Sequence, residues 1–570
     1  MSSEYDSSDN ESSVNYQETS GAKFVNHDSL FFEVEFDKSI KQINEKIIHL
    51  IFDSNNKSLY FLGKLTFKLI EGEFIYIDIK YNSNNIKDKE ITIWQSTAKS
   101  ISPLVSNSDK VILEVYIDKC KVPTFKSSTS KFRNIFHYPF SESLFALENH
   151  FQILTKEDKH KFRELETTSI WKNFIDQKIQ QSNKTTTICL GAKNSGKTTF
   201  NKQLLDNYRA NGEDVIFIDL DPGQQVFGQP GCISICEFKS FIQSDPIILG
   251  DSLMPFDNDD DNINLVNVFI GSYDCAKYYQ PYTDKVLNLL KKYNFEYENV
   301  IVNMPGWMNG LGREFISLVI RTIKTITSDV EVLFLGSDSE WQKFNIEINI
   351  DSFIFSNSLF DSSSYNQYIQ QNWNSTHLRE YRLLTTLHDL ENDEILLRQK
   401  PCKITYGFND YNIKLIKFIQ LGDQIPAKNE ELTFLKTLPG SLVGIFKSHI
   451  SDKNNNTVVK PSIFNNCDLS DEDILVTQAV VHSVNTIEKY MNIIIPKRNI
   501  DKLDILNDSS FNCYKLLTTA IGLPSYDFIP NEDPIIQNFN GLPPYITDVP
   551  LKKNEHTWKV RKNIMRKSQR

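Results

Sequence analysis

The chain has 570 residues, which corresponds to about three or four domains at roughly 100–200 residues per domain. A hydrophobic fraction of 40% and a charged fraction of 24% are ordinary for a globular protein. The formal charge of −11 by itself argues against a nucleic-acid partner. That total hides its distribution, because the first twenty residues carry acids and no Lys or Arg, whereas residues 552–570 carry eight Lys or Arg against one Glu.

Neither end of the chain nor the cysteine pattern indicates secretion. The sequence MSSEYDSSDNESS has no basic or apolar region of a signal peptide. No apolar run of about 18 residues is present, so we expect no membrane partner. The eight cysteines form no CxxC pair, and we expect reduced thiols.

Composition and hydrophobic patterning divide the chain into four parts. Residues 1–25 are rich in Ser, Asn and acids, which predicts a disordered acidic tail. Residues 26–155 show short alternating strands with turn signals, typical of a β-rich domain. Residues 401–570 return to short strands and predict a C-terminal β-rich domain with a basic tail.

The part between them, residues 156–400, alternates strands with helices. TTTICL, EDVIFIDLD, ENVIVN and VEVLFLG are predicted strands, and NKQLLDNYRA and REFISLVIRTIK are predicted helices. Such alternation indicates βαβ units and a mainly parallel sheet. The fold class expected is therefore α/β, with a central P-loop-type parallel sheet that has helices on both faces and a β-rich domain on either side.

The strongest motif follows the strand TTTICL and precedes a helix. It has the spacing GxxxxGKT of a phosphate-binding loop. In this motif the glycines let successive N–H groups face phosphate oxygens, and the helix adds its positive dipole end. The lysine then meets the β and γ phosphates, and the threonine hydroxyl can bind Mg²⁺. The residues predicted to bind ATP are Gly191, Ala192, Lys193, Asn194, Ser195, Gly196, Lys197 and Thr198.

A second motif, DLDPGQ, ends the next strand. Asp219 and Asp221 stand at i and i+2, on one side of an extended strand. Acids at the carboxyl edge of a parallel sheet face the ligand crevice. We assign Asp219 to the Mg²⁺ shell and Asp221 to the catalytic base, and the reverse assignment stays open.

Two weaker motifs follow. The segment Pro305-Gly306-Trp307 comes after the strand VIV, and its tryptophan could stack on a base, although such a residue is more often packed in a loop. Arg379 and Arg382 are three apart on a predicted helix and could close over the transferred phosphate, although such a pair is more often solvated.

Together these motifs resemble the eukaryotic polynucleotide 5′-hydroxyl kinases. The residues that carry the resemblance are GAKNSGKTTF (191–200), DLDPGQQVFGQPGCISI (219–235), VNMPGWMNGLGREF (302–315) and the tail PPYITDVP…WKVRKNIMRK. The continuation QPGCIS and the basic tail resemble the nucleolar branch of the family, which processes pre-rRNA. The motifs cover about 185–400.

The resemblance implies roles for single residues. Gln224 joins Asp219 and Asp221 in the DxDxGQ motif and would bind ATP. Pro305, Gly306 and Trp307 form the clasp that holds the RNA 5′ end, where the family usually has Thr in place of Met304. Arg379 and Arg382 are the lid arginines.

The function expected is an ATP- and Mg²⁺-dependent kinase that phosphorylates the 5′-hydroxyl end of RNA. The resemblance further implies a pre-rRNA endonuclease partner and a location in the nucleus and nucleolus. One alternative is an ATP-binding scaffold without turnover, and another is the mRNA 3′-end and tRNA-splicing branch. A general NTPase is a third, and no NKxD guanine motif supports a GTPase.

Overall fold

The computed structural model describes most of the first two thirds of the chain and part of the last third. The described residues are 40–122, 132–140, 150–239, 263–355, 373–388, 399–405, 415–420, 435–448, 462–463, 473–496 and 513–523, apart from 54–57, 87–88, 155–157, 159–160, 166, 182, 294, 296–297 and 345–350, together with 369, 396 and 499. The predicted acidic tail and basic tail lie outside them.

The first unit consists of two antiparallel sheets around one core. Its strands are β1 (Ile40–Gln42), β2 (Ile47–Asp53), β3 (Ser58–Leu59), β4 (Phe61–Glu71), β5 (Glu73–Tyr76), β6 (Ile79–Asn82), β7 (Ile91–Gln95), β8 (Leu104–Ser106), β9 (Lys110–Tyr116) and β10 (Phe151–Ile153). One sheet has the order β1-β2-β9-β4-β10 with β7 also paired to β4, and the other has the order β3-β8-β5-β6. Buried and partly exposed residues alternate along β2 and β9, so one face of that sheet supplies the core. A short helix α1 (Ser83–Ile86) and a 3-10 turn (Ile117–Lys119) complete the unit.

The second unit is a seven-stranded sheet that carries the motifs. Its strands are β11 (Thr186–Gly191), β12 (Val215–Asp219), β13 (Cys232–Phe238), β14 (Ile263–Phe269), β15 (Asn299–Asn303), β16 (Val330–Leu335) and β17 (Asp351–Phe355), in the order β14-β13-β12-β15-β11-β16-β17. Five strands are parallel, whereas β13 and β14 form an antiparallel edge. The α/β class is confirmed, and the sheet is mixed rather than wholly parallel.

Helices cover both faces of this sheet because its strands are apolar on both sides. The helices are α2 (Ser169–Gln180), α3 (Lys197–Ala210), α4 (Tyr279–Lys292), α5 (Leu311–Lys324), α6 (Asp338–Phe344) and α7 (Ser375–Leu387). Ile188 and Ile218 pack in one core with α4 and α5, whereas Cys189 and Phe217 pack in another with α2 and α3. Alternate residues of each strand therefore bind helices on opposite faces.

The third unit is a seven-stranded sheet built from the last part of the chain. Its strands are β18 (Cys402–Thr405), β19 (Leu415–Gln420), β20 (Leu442–Ser448), β21 (Ser462–Ile463), β22 (Ile474–Asn485), β23 (Tyr490–Ile494) and β24 (Cys513–Thr518). Their order is β18-β23-β22-β20-β24-β19-β21. No sheet mixes described strands from two of the three predicted folded units. The residue limits of those units stay predictions.

Helix α7 lies where the three units meet. The side chain of Asn374 accepts a hydrogen bond from the His377 N–H and caps the first turn of the helix. Tyr381 and Leu384 of this helix pack in one cluster with Phe132 and with Val480 of the third unit. The helix that carries Arg379 and Arg382 is therefore held by both flanking units.

Within the described part of the chain, no helix is long and apolar enough to cross a membrane. Six cysteines in that part are free thiols, and five of them are buried.

One buried ion pair ties α2 to the central sheet, and its removal should be costly. Lys178 contacts Glu331 at 2.5 Å with both side chains less than a tenth exposed, and the Thr187 hydroxyl donates to the same carboxylate. Lys178→Met leaves a buried carboxylate without its cation, so we expect a loss of about 3–5 kcal/mol in the free energy of unfolding, measured with urea.

Lys178→Met combined with Glu331→Gln should recover most of this loss, because no buried charge remains. Lys172→Met on the same helix removes an exposed pair with Asp78 and should change the free energy by less than about 1 kcal/mol. Equal effects of Lys178→Met and Lys172→Met would contradict this account.

Candidate active site

The phosphate-binding loop connects β11 to α3 in a strained, glycine-dependent turn. Gly191 has φ +152°, and a Cβ there would lie 2.6 Å from the Leu335 carbonyl oxygen. Gly196 has φ +92°, and Asn194, although not a glycine, also has a positive φ of 65°. Because L-residues rarely adopt this region, both glycines of the motif are required by the backbone. Helix α3 begins directly after them, so its first N–H groups point into the loop.

Lys197 spans this loop. Its ammonium donates to the carbonyl oxygens of Gly191 at 2.9 Å and Ala192 at 2.8 Å. Burial lowers the pKa of Lys197, while the nearby Asp221 carboxylate opposes that shift. The ammonium is thus held at the centre of the loop, where it can exchange a carbonyl for a phosphate oxygen.

The two aspartates of the DLD segment occupy different environments. Asp219 is fully buried, and its carboxylate accepts hydrogen bonds from the Asn303 side chain at 2.9 Å and from the backbone N–H groups of Val226 at 2.7 Å and Asp221 at 3.2 Å. Burial raises the pKa of Asp219 to about 7, although these hydrogen bonds oppose the shift. Asp219 therefore anchors the loop that follows it.

Asp221 instead lines the cavity described below. Its carboxylate accepts a hydrogen bond from the Gly223 N–H at 2.9 Å. Burial raises the pKa of Asp221, and the Gly223 hydrogen bond and the charges of Lys197 and Arg379 oppose the rise. Of the two acids, Asp221 is the one that a ligand in the cavity would meet.

The segment 305–307 lies directly over the phosphate-binding loop. A Cβ at Gly306 would come within 2.8 Å of the backbone N and Cα of Lys193, so the close approach requires glycine. Trp307 packs edge-on against Tyr279 with ring centroids 6.0 Å apart and lines the cavity. Met304 is buried in the central core beneath this segment.

The two candidate lid arginines are separated by the structure. Arg379 lines the cavity, and its guanidinium lies 5.4 Å from the ring centroid of Tyr273. Arg382 is buried, and it donates to the carbonyl oxygen of Gly228 at 2.9 Å. Of the two arginines, only Arg379 is among the described residues that line the cavity, and the lid role of the pair stays a prediction.

One cavity of about 810 Å³ brings most of the predicted site together. It is lined by residues of the phosphate-binding loop and the DxDxGQ segment, by Arg379 and by the clasp: Lys193, Asn194, Ser195, Gly196, Lys197, Thr198, Asp221, Gln224, Pro305, Gly306 and Trp307. Gly191 and Ala192 lie beneath it, as the acceptors of the Lys197 hydrogen bonds.

The structure adds residues that no motif indicated. They come from β7 and the loop after it, from the connector before α2, from the segment after β14 and from the residue before the α7 cap: Trp94, Lys99, Arg163, Tyr273 and Trp373. Trp373 donates a hydrogen bond to the Thr97 hydroxyl at 3.1 Å, which closes one wall against the first unit. With Trp171 and Trp307, four of the six tryptophans line this cavity.

No cluster of three or more His, Cys, Asp or Glu that could hold a metal occurs in the described ranges. The Thr198 hydroxyl and the Asp221 carboxylate do face one cavity. This sparse oxygen set fits Mg²⁺, which takes one or two protein ligands beside water and phosphate oxygens.

The fold and the cavity define a P-loop nucleotide-binding protein. The family model described as "mRNA cleavage and polyadenylation factor CLP1 P-loop" matches residues 191–382. Polynucleotide 5′-hydroxyl-kinase GRC3 of Saccharomyces cerevisiae is 25% identical, over 90% of this chain and 86% of that protein. Polynucleotide 5′-hydroxyl-kinase NOL9 of Danio rerio is 30% identical over 23% of this chain and 17% of that protein. These similarities support the polynucleotide 5′-hydroxyl-kinase family for this chain.

The structure of the wild-type Clp1p–Pcf11p complex aligns with a TM-score of 0.47 and 14% identity, over 84% of this chain and 99% of that one.

Burial of Asp219 makes stability depend on pH. The folded pKa of about 7 lies above the ordinary value of 3.8, so between these values the folded chain binds more protons than the unfolded chain. The stability that the protonated Asp219 adds to the folded state is therefore fully present at low pH and is lost as pH rises through 7. Over that range the free energy of unfolding falls by at most about 1.4 kcal/mol per pH unit.

Asp219→Asn removes this contribution, so its free energy of unfolding should fall less steeply with pH than that of the wild type. Urea unfolding of both proteins with a metal chelator, between about pH 5 and pH 8, measures the difference. The substitution also places an amide against the Val226 N–H, which lowers stability by an amount that does not vary with pH. If the free energies of unfolding of the two proteins changed with pH in the same way, the raised pKa of Asp219 would be contradicted.

Proposed function

We propose that this chain transfers the γ-phosphoryl group of ATP to the 5′-hydroxyl of RNA during pre-rRNA processing. The observation that carries the proposal is the single cavity shared by Lys197, Asp221 and Trp307. A nucleotide-binding loop, a carboxylate and an exposed aromatic edge in one cavity suit a reaction between a triphosphate and a second substrate that ends in a base. Several relatives are named polynucleotide 5′-hydroxyl-kinase, and the chain is a kinase of that family.

The roles in this reaction follow from the contacts. The loop N–H groups and the Lys197 ammonium hold the β and γ phosphates. The Asp221 carboxylate accepts the proton of the 5′-hydroxyl. A bond forms between that oxygen and the γ-phosphorus while the bond to the β,γ-bridging oxygen breaks, so ADP leaves on the opposite side. Arg379 stabilises the charge on the transferred group.

Mg²⁺, when bound, would neutralise phosphate charge. Thr198 is the residue placed to hold it beside water and phosphate oxygens, while the Asp221 carboxylate serves as the base. Asp219 would then act through the loop that it anchors, since three protein donors already engage its carboxylate. This division keeps the proton at Asp221, as the sequence-based assignment did, and proposes a positioning role for Asp219 in place of the metal role.

The finer biological setting is also part of the proposal. The names GRC3 and NOL9 of the relatives, and the QPGCIS continuation, favour the nucleolar branch over the mRNA 3′-end and tRNA-splicing branch. We therefore propose a role in the nucleolus, in association with a pre-rRNA endonuclease. The rival function, an ATP-binding scaffold without turnover, is disfavoured because the acid, the lysine and the arginine all reach the cavity.

Lys197→Met should abolish transfer of label from γ-labelled ATP to an RNA oligonucleotide with a 5′-hydroxyl. The substitution removes the buried cation that the γ phosphate would meet. We expect a loss of about 10³-fold or more, the value of an arginine finger that stabilises the same charge. Lys324→Met, at the exposed end of α5, is the matched control and should retain full transfer.

The molecule that receives the label also distinguishes the kinase from an NTPase and from a scaffold without turnover. Label on RNA supports the kinase, label only on free phosphate supports an NTPase, and no turnover by the wild type supports the scaffold. Undiminished labelling of RNA by Lys197→Met would refute the assigned role.

Trp307→Ala should weaken the binding of RNA far more than the binding of ATP. Loss of a stacking aromatic costs about 1–3 kcal/mol per base, so the KM for RNA should rise by roughly 5- to 150-fold while the KM for ATP changes little. Trp341→Ala removes a tryptophan that packs against Phe334 outside the described cavity lining and controls for loss of packing. Equal effects on the KM values of RNA and ATP would argue against a stacking role.

A further inference from the structure

The third unit holds the backbone of a short turn, Gly228–Gly231, which ends the loop that begins at Asp219. The side chain of Gln478 in β22 donates to the Pro230 carbonyl oxygen at 2.7 Å, and both Gln478 and Arg382 are buried where they meet the turn. Gly231 has φ +74°, and a Cβ there would lie 2.5 Å from the Cδ1 atom of Ile521. Contacts from two different elements therefore fix this turn.

The same loop carries Asp221, and its two ends are tied together. The Gly231 N–H donates to the Pro222 carbonyl oxygen at 3.2 Å. The Gln225 amide donates to the carbonyl oxygens of Asp219 and Asp221, both at 3.3 Å, and accepts from the Ser234 hydroxyl at 2.8 Å. Hydrogen bonds within one short loop therefore connect the segment at Pro230 to Asp221.

A second connection reaches the cavity from the same unit. The Ala520 N–H donates to the Gly271 carbonyl oxygen at 2.8 Å, and the Gly271 N–H donates to the Gly231 carbonyl oxygen at 3.1 Å. Two residues further along, Tyr273 lines the cavity beneath Arg379. The third unit thus contacts two segments that lead to the cavity, the loop 219–231 and the segment 271–273.

We propose that Gln478 is a positioning residue, through which the third unit sets the orientation of Asp221 in the kinase cavity. Gln478 does not line the described cavity, so it acts on the reaction through the loop 219–231. The proposal rests on the proposed kinase function for its effect on rate, whereas its effect on the loop does not depend on that function.

Gln478→Met tests the proposal, because methionine has a similar length and lacks the N–H donor. Misplacement of a reacting group by about 1 Å costs up to 10²-fold, so we expect kcat for RNA phosphorylation to fall by roughly 10- to 100-fold. The KM for ATP should stay within about twofold, since the phosphate-binding loop makes no contact with Gln478 that the structure describes.

Thr477→Val is the matched control. Thr477 is the neighbouring residue on the same strand, is equally buried, and accepts a hydrogen bond from Asn499 inside the third unit. The Thr477 hydroxyl also donates to the backbone carbonyl oxygen of Gln478 at 2.9 Å. Thr477→Val therefore removes two buried polar contacts within the third unit but leaves the side-chain amide of Gln478 on Pro230, so kcat should stay at the wild-type value.

Hydrogen exchange of the backbone amides of residues 221–231 gives a second readout. Gln478→Met should speed this exchange, and Thr477→Val should leave it unchanged. Faster exchange with a lowered kcat supports the proposal. Faster exchange in a protein whose wild type labels no RNA supports the loop contact and refutes the kinase function. Unchanged exchange, or a kcat equal to that of Thr477→Val in an active enzyme, overturns the positioning role.

Discussion

The buried carboxylate of Asp219 is the interaction on which the site depends. It stands at the end of β12, next to Asn303 at the end of β15, and the Asn303 side chain in turn accepts a hydrogen bond from Asn201 in α3 at 3.1 Å. This chain of buried polar groups joins the helix of the phosphate-binding loop, the strand before the clasp and the loop that carries Asp221. Because an unpaired member would be costly in the interior, all three segments are fixed relative to one another.

The strand order explains why these segments meet. The chain leaves β11 into the phosphate-binding loop and returns in β12, two positions away, with β15 between them. The carboxyl ends of the three parallel strands therefore open onto one crevice, where ligands of such sheets bind. The first unit contributes Trp94 to the wall of this crevice, and the connector before α2 contributes Arg163. The third unit supports the loop after β12 through Gln478.

Much of the centre of this site could be predicted from the sequence, because the motif glycines, Lys197 and Asp221 act through their neighbours in the chain. The contributions of Trp94, Arg163 and Trp373 could not, since they depend on how distant units pack. Arg382 shows a further limit. Residues three apart on a helix differ by about 60° in direction, and in α7 that angle separates the cavity from the turn at Gly228.

The net charge of the chain was also a poor guide to the charge of the site. Although the chain is acidic, six cationic residues line the cavity: Lys99, Arg163, Lys193, Lys197, Lys202 and Arg379.

The central claim is that one cavity holds both reactants at once. A bisubstrate ligand, in which adenosine is linked through a phosphate chain to the 5′ end of an RNA oligonucleotide, tests it most directly through quenching of tryptophan fluorescence. If both halves bind in one cavity, the linked ligand should bind at least 10²-fold more tightly than ATP or the 5′-hydroxyl oligonucleotide alone, because the second half binds at a high effective concentration. A dissociation constant no lower than that of ATP would show that the two substrates do not share the cavity and would contradict the account.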